Sequence, residues 1–318
     1  MVEPSPWPFA ASWVIFGLAV SLVGYMHRYT SFLLVLGFLI LLLVVAWGWF
    51  SDIIDEADSG YHTAVVQEML RVGFLLFIVS EVMLFFSFFW ALFHSSLSPS
   101  IWIGAQWVPE GITTILWIGA PLMNTLLLLA SSLAVTTSHW NLLSFSDRYS
   151  LEALYREVLV DDNPDSLIQD LIKFDLVEPY DDLDVENAIA YRDLFHYGQR
   201  PQEFSADWLP RSIEISSNLR GAIYLGLLFL FFQWNEYANA GFSISDSVFG
   251  SCFFMLTGLH GLHVLVGTLF LIFCLVRTQW YGAFSKTHHV AFECAAWYWH
   301  FVDVVWLFLF FIVYCLLG

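Results

Sequence analysis

Long apolar runs separated by short polar intervals dominate this chain. Seven of the runs are about long enough, at ~1.5 Å of rise per residue, to cross the hydrocarbon core of a bilayer as helices. None shows the ten-residue alternation of a membrane strand, and unpaired backbone amides are costly in lipid, so each run predicts a helix. The runs cover residues 9–26, 32–50, 72–93, 112–135, 219–234, 248–276 and 290–317. The sequence therefore predicts an all-α membrane protein with seven transmembrane helices.

Composition and charge support this class and orient the chain. Hydrophobic residues make up 58% of the 318 residues and charged residues only 13%, which excludes an ordinary soluble domain. Among the short loops, only Arg28 lies on the side opposite to Met1, whereas Arg71, Arg220, Arg277 and Lys286 lie on the same side. Because positive loops stay inside, we expect an inner N-terminus, and the start MVEPSPWP indicates no cleaved leader.

One polar segment, residues 145–214, interrupts the apolar pattern with a net charge of 6 − 17 = −11. Apolar spacing predicts short helices in SLEALYREVLV with Ser150 as N-cap, after Pro164, and at 184–195. We expect this insert to dock on an accessory subunit or on the inner face of the bundle, with a solvated loop as the alternative. Its acidity argues against nucleic acid and favours a basic protein surface.

These features predict a division of the chain into four parts. The parts are helices 1–2 at 1–66, helices 3–4 at 67–144, the acidic insert at 145–214 and helices 5–7 at 215–318. The four cysteines all fall within apolar runs and form no CxxC pair, so we interpret them as small packing residues; they are Cys252, Cys274, Cys294 and Cys315.

A single acid, Glu81, lies in the middle of the apolar stretch LFIVSEVMLFFSFFW. An acid at that depth costs several kcal/mol (~3) unless it is paired or protonated. Glu81 therefore indicates either a route for protons or ions or a structural hydrogen bond to an adjacent helix. The sequence decides neither between these two roles nor whether Glu81 is charged.

The last two runs carry further polar groups. His260 and His263 stand three residues apart, and Glu293, His300 and Asp303 form one stripe of the final run. Histidine is the commonest metal ligand, so a metal or haem site is one interpretation. Carboxylate–histidine pairing between helices satisfies the same groups without a metal, and we favour this structural role.

A third polar group marks the inner ends of the helices. Trp49, Asp55, His62 and Arg71 bracket the turn between the second and third runs, and Arg277 ends the sixth. Guanidinium groups bind phosphate and indole rings sit at the membrane interface, so these residues suit phospholipid headgroups. Ordinary interfacial anchoring is the alternative.

Several long motifs closely resemble subunit III of the haem-copper cytochrome c oxidases. They occur in order along all seven runs and leave out only about 145–214. The motifs are SPWP, GYHTAVVQEMLRVGFLLFIVSEVMLFFSFFWALFHSSLSP, NTLLLLASS, FSISDSVFGSCFFMLTGLHGLHVLVGTLF and HHVAFECAAWYWHFVDVVWLFLF. Motifs of this length are very specific.

The resemblance implies a seven-helix subunit without metal or haem, packed beside subunit I in complex IV, whose other subunits hold the haem and copper. In that family two helices splay from the other five, and the V-shaped cleft between them holds phospholipids. Glu81 matches the family's intramembrane glutamate near the cleft. Trp49, His62, Arg71 and Arg277 match positions associated with lipid. The implied role is to stabilise the oxygen-reducing centre and to assist proton uptake.

Three departures from the family pattern stand out. WFSD replaces the family's WWRD, so Ser51 stands where an arginine is common. His139 alone remains of a usual histidine pair, and the acidic insert has no counterpart. Similarity to mitochondrial versions implies the mitochondrial inner membrane with the N-terminus in the matrix, and a bacterial plasma membrane is the alternative.

Other functions remain possible on the sequence alone. Glu81, Glu293, His300 and Asp303 would also suit a standalone proton or ion carrier. A haem protein could use His260, His263 or His300 as a ligand. Subunit III of a bacterial quinol oxidase is the nearest alternative within the same family.

Overall fold

A computed structural model describes residues 4–158, 208–279, 284 and 289–317. Within those residues all regular structure is helical. The long helices are α1 (Trp7–Met26), α2 (Phe32–Asp58), α3 (Ala64–Leu97), α4 (Ala120–Val158), α5 (Trp208–Asn239), α6 (Val248–Gln279) and α7 (Val290–Leu309). A 3₁₀ turn lies at Ile101–Ile103, and α7 continues as a π-helix over Phe310–Leu316.

Among the residues that the structure describes, seven helices are long and apolar enough to cross a membrane. Large apolar side chains such as Trp13, Phe86 and Leu262 point outward and are more than half exposed. Such surfaces are costly in water and suit contact with acyl chains. The prediction of an all-α, seven-span membrane protein is confirmed.

The predicted start of the fourth span at Ile112 is wrong, because α4 begins only at Ala120. The preceding residues form turns, and Gly111 has a φ of 90°, a left-handed conformation that ends regular structure. Ile112 and Ile115 are apolar because they pack against the core. Pro121 then occupies the first turn of the helix, where its missing N–H costs nothing.

Helix ends also differ from the apolar runs that predicted them. α2 continues to Asp58 and α3 begins at Ala64, since polar residues beyond the hydrocarbon core can still be helical. α4 runs without a break to Val158, so Ser150 lies inside it and is not the cap of a separate helix. The other two predicted helices of the insert, after Pro164 and at 184–195, lie outside the described residues.

The chain divides into two compact units, Met1–Gly73 and Phe74–Gly318. In the first unit α1 packs on α2 as a hairpin. The Trp7 indole N–H donates a hydrogen bond to Asp52, which links the SPWP motif to WFSD. Gly48 makes room for this contact, because a Cβ there would lie 2.5 Å from the Trp7 ring.

In the second unit α4 packs on α5, α5 on α6, α6 on α7, and α7 back on α4. Hydroxyl groups of α4 hold α5 directly: Ser131 donates to the Ala222 carbonyl at 2.9 Å and Ser138 to the Ile215 carbonyl at 3.0 Å. Hydrogen bonds of this kind stabilise helix pairs in membranes, where burial against lipid gives little driving force.

Trp299 of α7 is almost completely buried, and it packs closely against both α5 and α6. Cβ atoms added at Gly226 and Gly267 would lie 2.7 and 2.9 Å from its ring. The two glycines therefore let α5 and α6 approach the indole closely. α3 reaches the same bundle through aromatic side chains, with Phe77 stacked on Tyr298 at 6.4 Å.

Candidate functional site

The intramembrane acid Glu81 has a partner on another helix. Its Oε2 lies 2.9 Å from Nε2 of His263, so α3 and α6 are joined by a carboxylate–imidazole pair. The side chains are 19% and 9% exposed, respectively. The structure thus pairs Glu81, for which the sequence predicted a role with protons or lipid, with His263, for which it predicted a structural role.

The hydrogen bonds of His263 show that it shares one proton with Glu81. Its Nδ1 is 2.8 Å from the Leu259 carbonyl oxygen, which can only accept, so Nδ1 carries a hydrogen. A second hydrogen must then lie between Nε2 and the Glu81 carboxyl group. The pair is therefore either a neutral acid with a neutral imidazole or a carboxylate with an imidazolium, and its net charge is zero in both forms.

Aromatic rings enclose this pair. Phe85 lies 5.0 Å from the His263 ring, and Tyr298 is stacked parallel to it at 6.2 Å. Phe301 completes the surround with an edge-on contact at 6.2 Å. These rings keep water from most of the pair, which strengthens the hydrogen bond and makes the loss of either partner costly.

His260, three residues earlier on α6, serves a different contact. Its Nε2 lies 3.0 Å from the Val302 carbonyl oxygen on α7 and therefore donates a hydrogen. The ring is completely buried between Phe229 and Trp306. Nδ1 is left as an acceptor with no partner among the described residues. The two histidines thus share a helix but not a site.

His300 and Asp303 lie against α4. The Thr136 hydroxyl donates to the Ser132 carbonyl at 3.0 Å, so its oxygen can accept the Nε2 hydrogen of His300 at 3.3 Å. Asp303 is buried, and its Oδ1 has no partner among the described residues. The predicted polar stripe of the final helix is thus directed at α4 and does not reach Glu81.

Glu293, the third acid of that stripe, pairs within its own helix start. Its Oε1 lies 3.2 Å from Nε2 of His289, the residue that precedes α7. His139 of α4 joins them, with its ring stacked on Phe292 at 5.6 Å and 5.5 Å from the His289 ring. Nothing in the sequence pattern had indicated that these three polar residues meet.

The predicted headgroup residues lie at the ends of their helices. Trp49 and Asp55 belong to α2, and His62 precedes α3 with its Nε2 3.9 Å from Glu56. Arg71 lies in α3 and Arg277 in the last turn of α6. Both side chains are half-buried and both have interaction partners. Their assignment to phospholipid binding stays a prediction.

A buried acid near the end of α5, Glu236, was not among the residues predicted from the sequence. The Tyr314 hydroxyl donates to its Oε1 at 2.6 Å, and Gln233 donates to the same oxygen at 3.3 Å. Asn124 of α4 extends the network by donating to Gln233 at 3.2 Å. The signal was weak, because WNEYAN reads as an exposed polar helix end.

Comparison with known proteins matches most of the chain. The family model for cytochrome c oxidase subunit III covers residues 1–161 and 212–317, which leaves most of the acidic segment unmatched. Cytochrome c oxidase subunit 3 of Triticum aestivum is 41% identical, over 99% of this chain and 94% of that protein.

Relatives from other lineages agree. The proteins of the same name from Chondrus crispus and Papio hamadryas are 39% and 37% identical, each over 99% of this chain. The alignments cover 92% and 95% of those proteins, respectively. With matches over nearly its whole length and seven membrane-length helices in the described part, this chain belongs to the cytochrome c oxidase subunit III family.

Proposed function

We propose that the chain is subunit 3 of a cytochrome c oxidase and acts there as a non-catalytic membrane subunit. It stabilises the catalytic subunit, holds phospholipid and supports proton uptake while the complex passes electrons from cytochrome c to oxygen and translocates protons. Family membership over both matched ranges supports the assignment to the complex.

The observation that carries the non-redox role is the use of the intramembrane imidazoles. Nε2 is engaged with the Val302 carbonyl in His260, with Glu81 in His263 and with Thr136 in His300. An axial haem ligand must offer a ring nitrogen to the iron across an open gap. In this bundle the same nitrogens tie helices together, and the haem and copper belong to partner subunits.

Packing defines how the chain would support its neighbours. The Glu81–His263 and His300–Thr136 contacts lock α3 to α6 and α7 to α4, and the apolar outer surface is left for lipid and for subunit I. A rigid bundle orders the lipid and protein next to it, which protects a neighbouring proton entry from rearrangement. The positions of Arg71 and Arg277 at helix ends suit phosphate headgroups.

Location follows from relatives and charge. Relatives of mitochondrial type span plants, algae and animals, and the loop charges favour an inner N-terminus. We place the chain in the mitochondrial inner membrane with its N-terminus in the matrix.

A standalone proton carrier fits the contacts less well. Such a carrier needs a continuous row of exchangeable groups across the bundle. Glu81 with His263 joins α3 to α6, whereas Thr136 with His300 joins α4 to α7. Aromatic rings surround the His263 side of the first pair.

The test is purification of the oxidase through an affinity tag on this chain. We expect co-purifying catalytic subunits, oxidation of cytochrome c and no oxidation of quinol. Removing this chain by detergent should preserve initial turnover but shorten the working life of the enzyme and reduce bound phospholipid. A Soret band in the isolated chain, or proton flux through it in liposomes, would contradict the proposal, as would a tag that recovers no oxidase subunit.

A further inference from the structure

Three metal-binding side chains meet where the membrane span of α4 ends and α7 begins. They are His139 of α4, His289 at the N-cap of α7 and Glu293 in its first turn. One ligand atom from each lies within 4.8 Å of those of the other two. The residues come from two helices, 150 positions apart in the chain (289 − 139), so their spacing in the sequence gave no sign of a site.

The His289–Glu293 pair already has the separation that a zinc ion requires. Tetrahedral zinc with bonds of about 2.05 Å places its ligand atoms about 3.3 Å apart. The two atoms here, Nε2 and Oε1, are 3.2 Å apart on successive helical turns. A carboxylate is also the favourable ligand at this position, because the helix N-terminus stabilises its negative charge.

His139 offers the third ligand atom, and binding a metal ion would satisfy that atom. Its Nε2 is buried and has no hydrogen-bond partner among the described residues, a state that costs about 1–3 kcal/mol. The ring is held in place by stacking on Phe292 with an interplanar angle of 20°. A movement of up to about 1.5 Å would bring its nitrogen to tetrahedral distance from the other two.

We propose that His139, His289 and Glu293 form a zinc-class divalent cation site, with water as the fourth ligand. Two imidazoles and one carboxylate are a known zinc donor set, and nitrogen ligands select against calcium and magnesium. The neighbouring insert favours cation accumulation, since it begins six residues after His139 and carries the net charge of −11 derived above. The bound ion would cross-link α4 and α7, and this inference is independent of the proposed function.

The experiment uses the intact oxidase complex, washed with chelator and then titrated with Zn²⁺ alone. Bound zinc is counted by atomic emission, and affinity is measured by competition with a chromophoric chelator. We expect His139→Phe and Glu293→Gln complexes to bind one zinc fewer per copy of this chain than the native complex. If a residual site survives, its affinity should fall by at least about tenfold.

A matched control removes an imidazole from the same helix pair that is not one of the three proposed ligands. His300→Gln loses the contact to Thr136 between α7 and α4 but should keep the zinc count of the native complex. If His300→Gln lost the ion as readily as His139→Phe, the loss would reflect loosened packing, and the proposal would be wrong.

A gain of signal guards against variants that fail to assemble. In a His139→Cys complex loaded with Co²⁺, the thiolate should give a sulfur-to-cobalt charge-transfer absorption that the native complex lacks. No such band in an assembled complex would overturn the proposal. So would equal zinc content and affinity in native, His139→Phe and Glu293→Gln complexes, which would indicate an adventitious ion only.

Discussion

Glu81 and His263 stand 182 residues apart in the chain and 2.9 Å apart in space, on helices α3 and α6. Because Nδ1 of His263 donates to the Leu259 carbonyl, one further proton must lie between Nε2 and the carboxyl group. The pair therefore brings an acid into the membrane without a net charge. The pair joins two helices, and each partner makes the other tolerable in lipid.

Glu81→Gln should leave assembly and initial oxidase turnover near the native values. The glutamine amide can donate to Nε2 of His263, and the residue touches no redox centre in the proposed assignment. We expect a shorter working lifetime or altered lipid occupancy, because an ionic form of the pair is no longer available. Turnover before inactivation and bound phospholipid in the purified complex measure these effects.

The matched control is Glu68→Gln, the same change at an exposed position of the same helix, which should alter neither quantity. His263→Leu should be more damaging than Glu81→Gln, since it strands the acid in the bundle at a cost of about 3–5 kcal/mol. Complete loss of initial turnover in an assembled Glu81→Gln complex would contradict this interpretation.

Gly226→Ala should destabilise the bundle by about 1–3 kcal/mol, because overpacking a tight core forces side chains and backbone to shift. The new Cβ would lie 2.7 Å from the Trp299 ring and 3.0 Å from the Thr268 hydroxyl. The measurement is the midpoint of thermal unfolding of the purified complex.

Gly221→Ala on the same helix is the control, since a Cβ there meets nothing within 4 Å. Helix propensity alone should make this variant neutral or more stable by up to ~1 kcal/mol. Equal loss of stability in both variants would show that the close approach to Trp299 has no special importance.

Tyr314→Phe should cost about 1–3 kcal/mol of stability, because it removes the shortest hydrogen bond of a buried acid. The hydroxyl donates to Oε1 of Glu236 at 2.6 Å, while Oε2 already has no partner among the described residues. Denaturant unfolding of the complex measures the loss.

Tyr224→Phe, at an exposed position of α5, should change little and serves as the control. Adding Glu236→Gln to Tyr314→Phe should recover part of the stability, since a neutral amide is less costly to bury than an underpaired acid. A double variant that is less stable than Tyr314→Phe alone would argue against this explanation.

Replacing residues 162–205 with a short Gly/Ser linker should preserve catalysis and weaken the binding of an accessory subunit. The segment lies outside both the described residues and the matched family ranges, and its acidity suits a basic protein surface. Mass spectrometry of the purified complex would report the subunit composition. An unchanged composition would count against this role, and an acid-to-amide version of the full-length insert separates the effect of charge from that of length.

Glu81 was detectable in the sequence because a lone acid in an apolar run has no local explanation. Its partner was not detectable, since His260, His263 and His300 were equally available and only helix rotation selects among them. Glu236 escaped notice for the opposite reason, because polar residues at the end of an apolar run usually face solvent. The start of α4 was misplaced because Ile112 and Ile115 are apolar for packing and not for membrane insertion.

The sequence by itself determined the seven membrane helices and the family. Lipid offers the backbone no hydrogen bonds, so any sufficiently long apolar run must satisfy its own amides as a helix, and that property is local. Only the tertiary structure decided which polar groups meet: Glu81 with His263, His300 with Thr136, and His139 with His289 and Glu293. These contacts depend on how closely two helices pack and on which faces the helices present to each other. Packing distance and helix rotation are in turn set by contacts elsewhere in the bundle, such as that of Gly226 with Trp299.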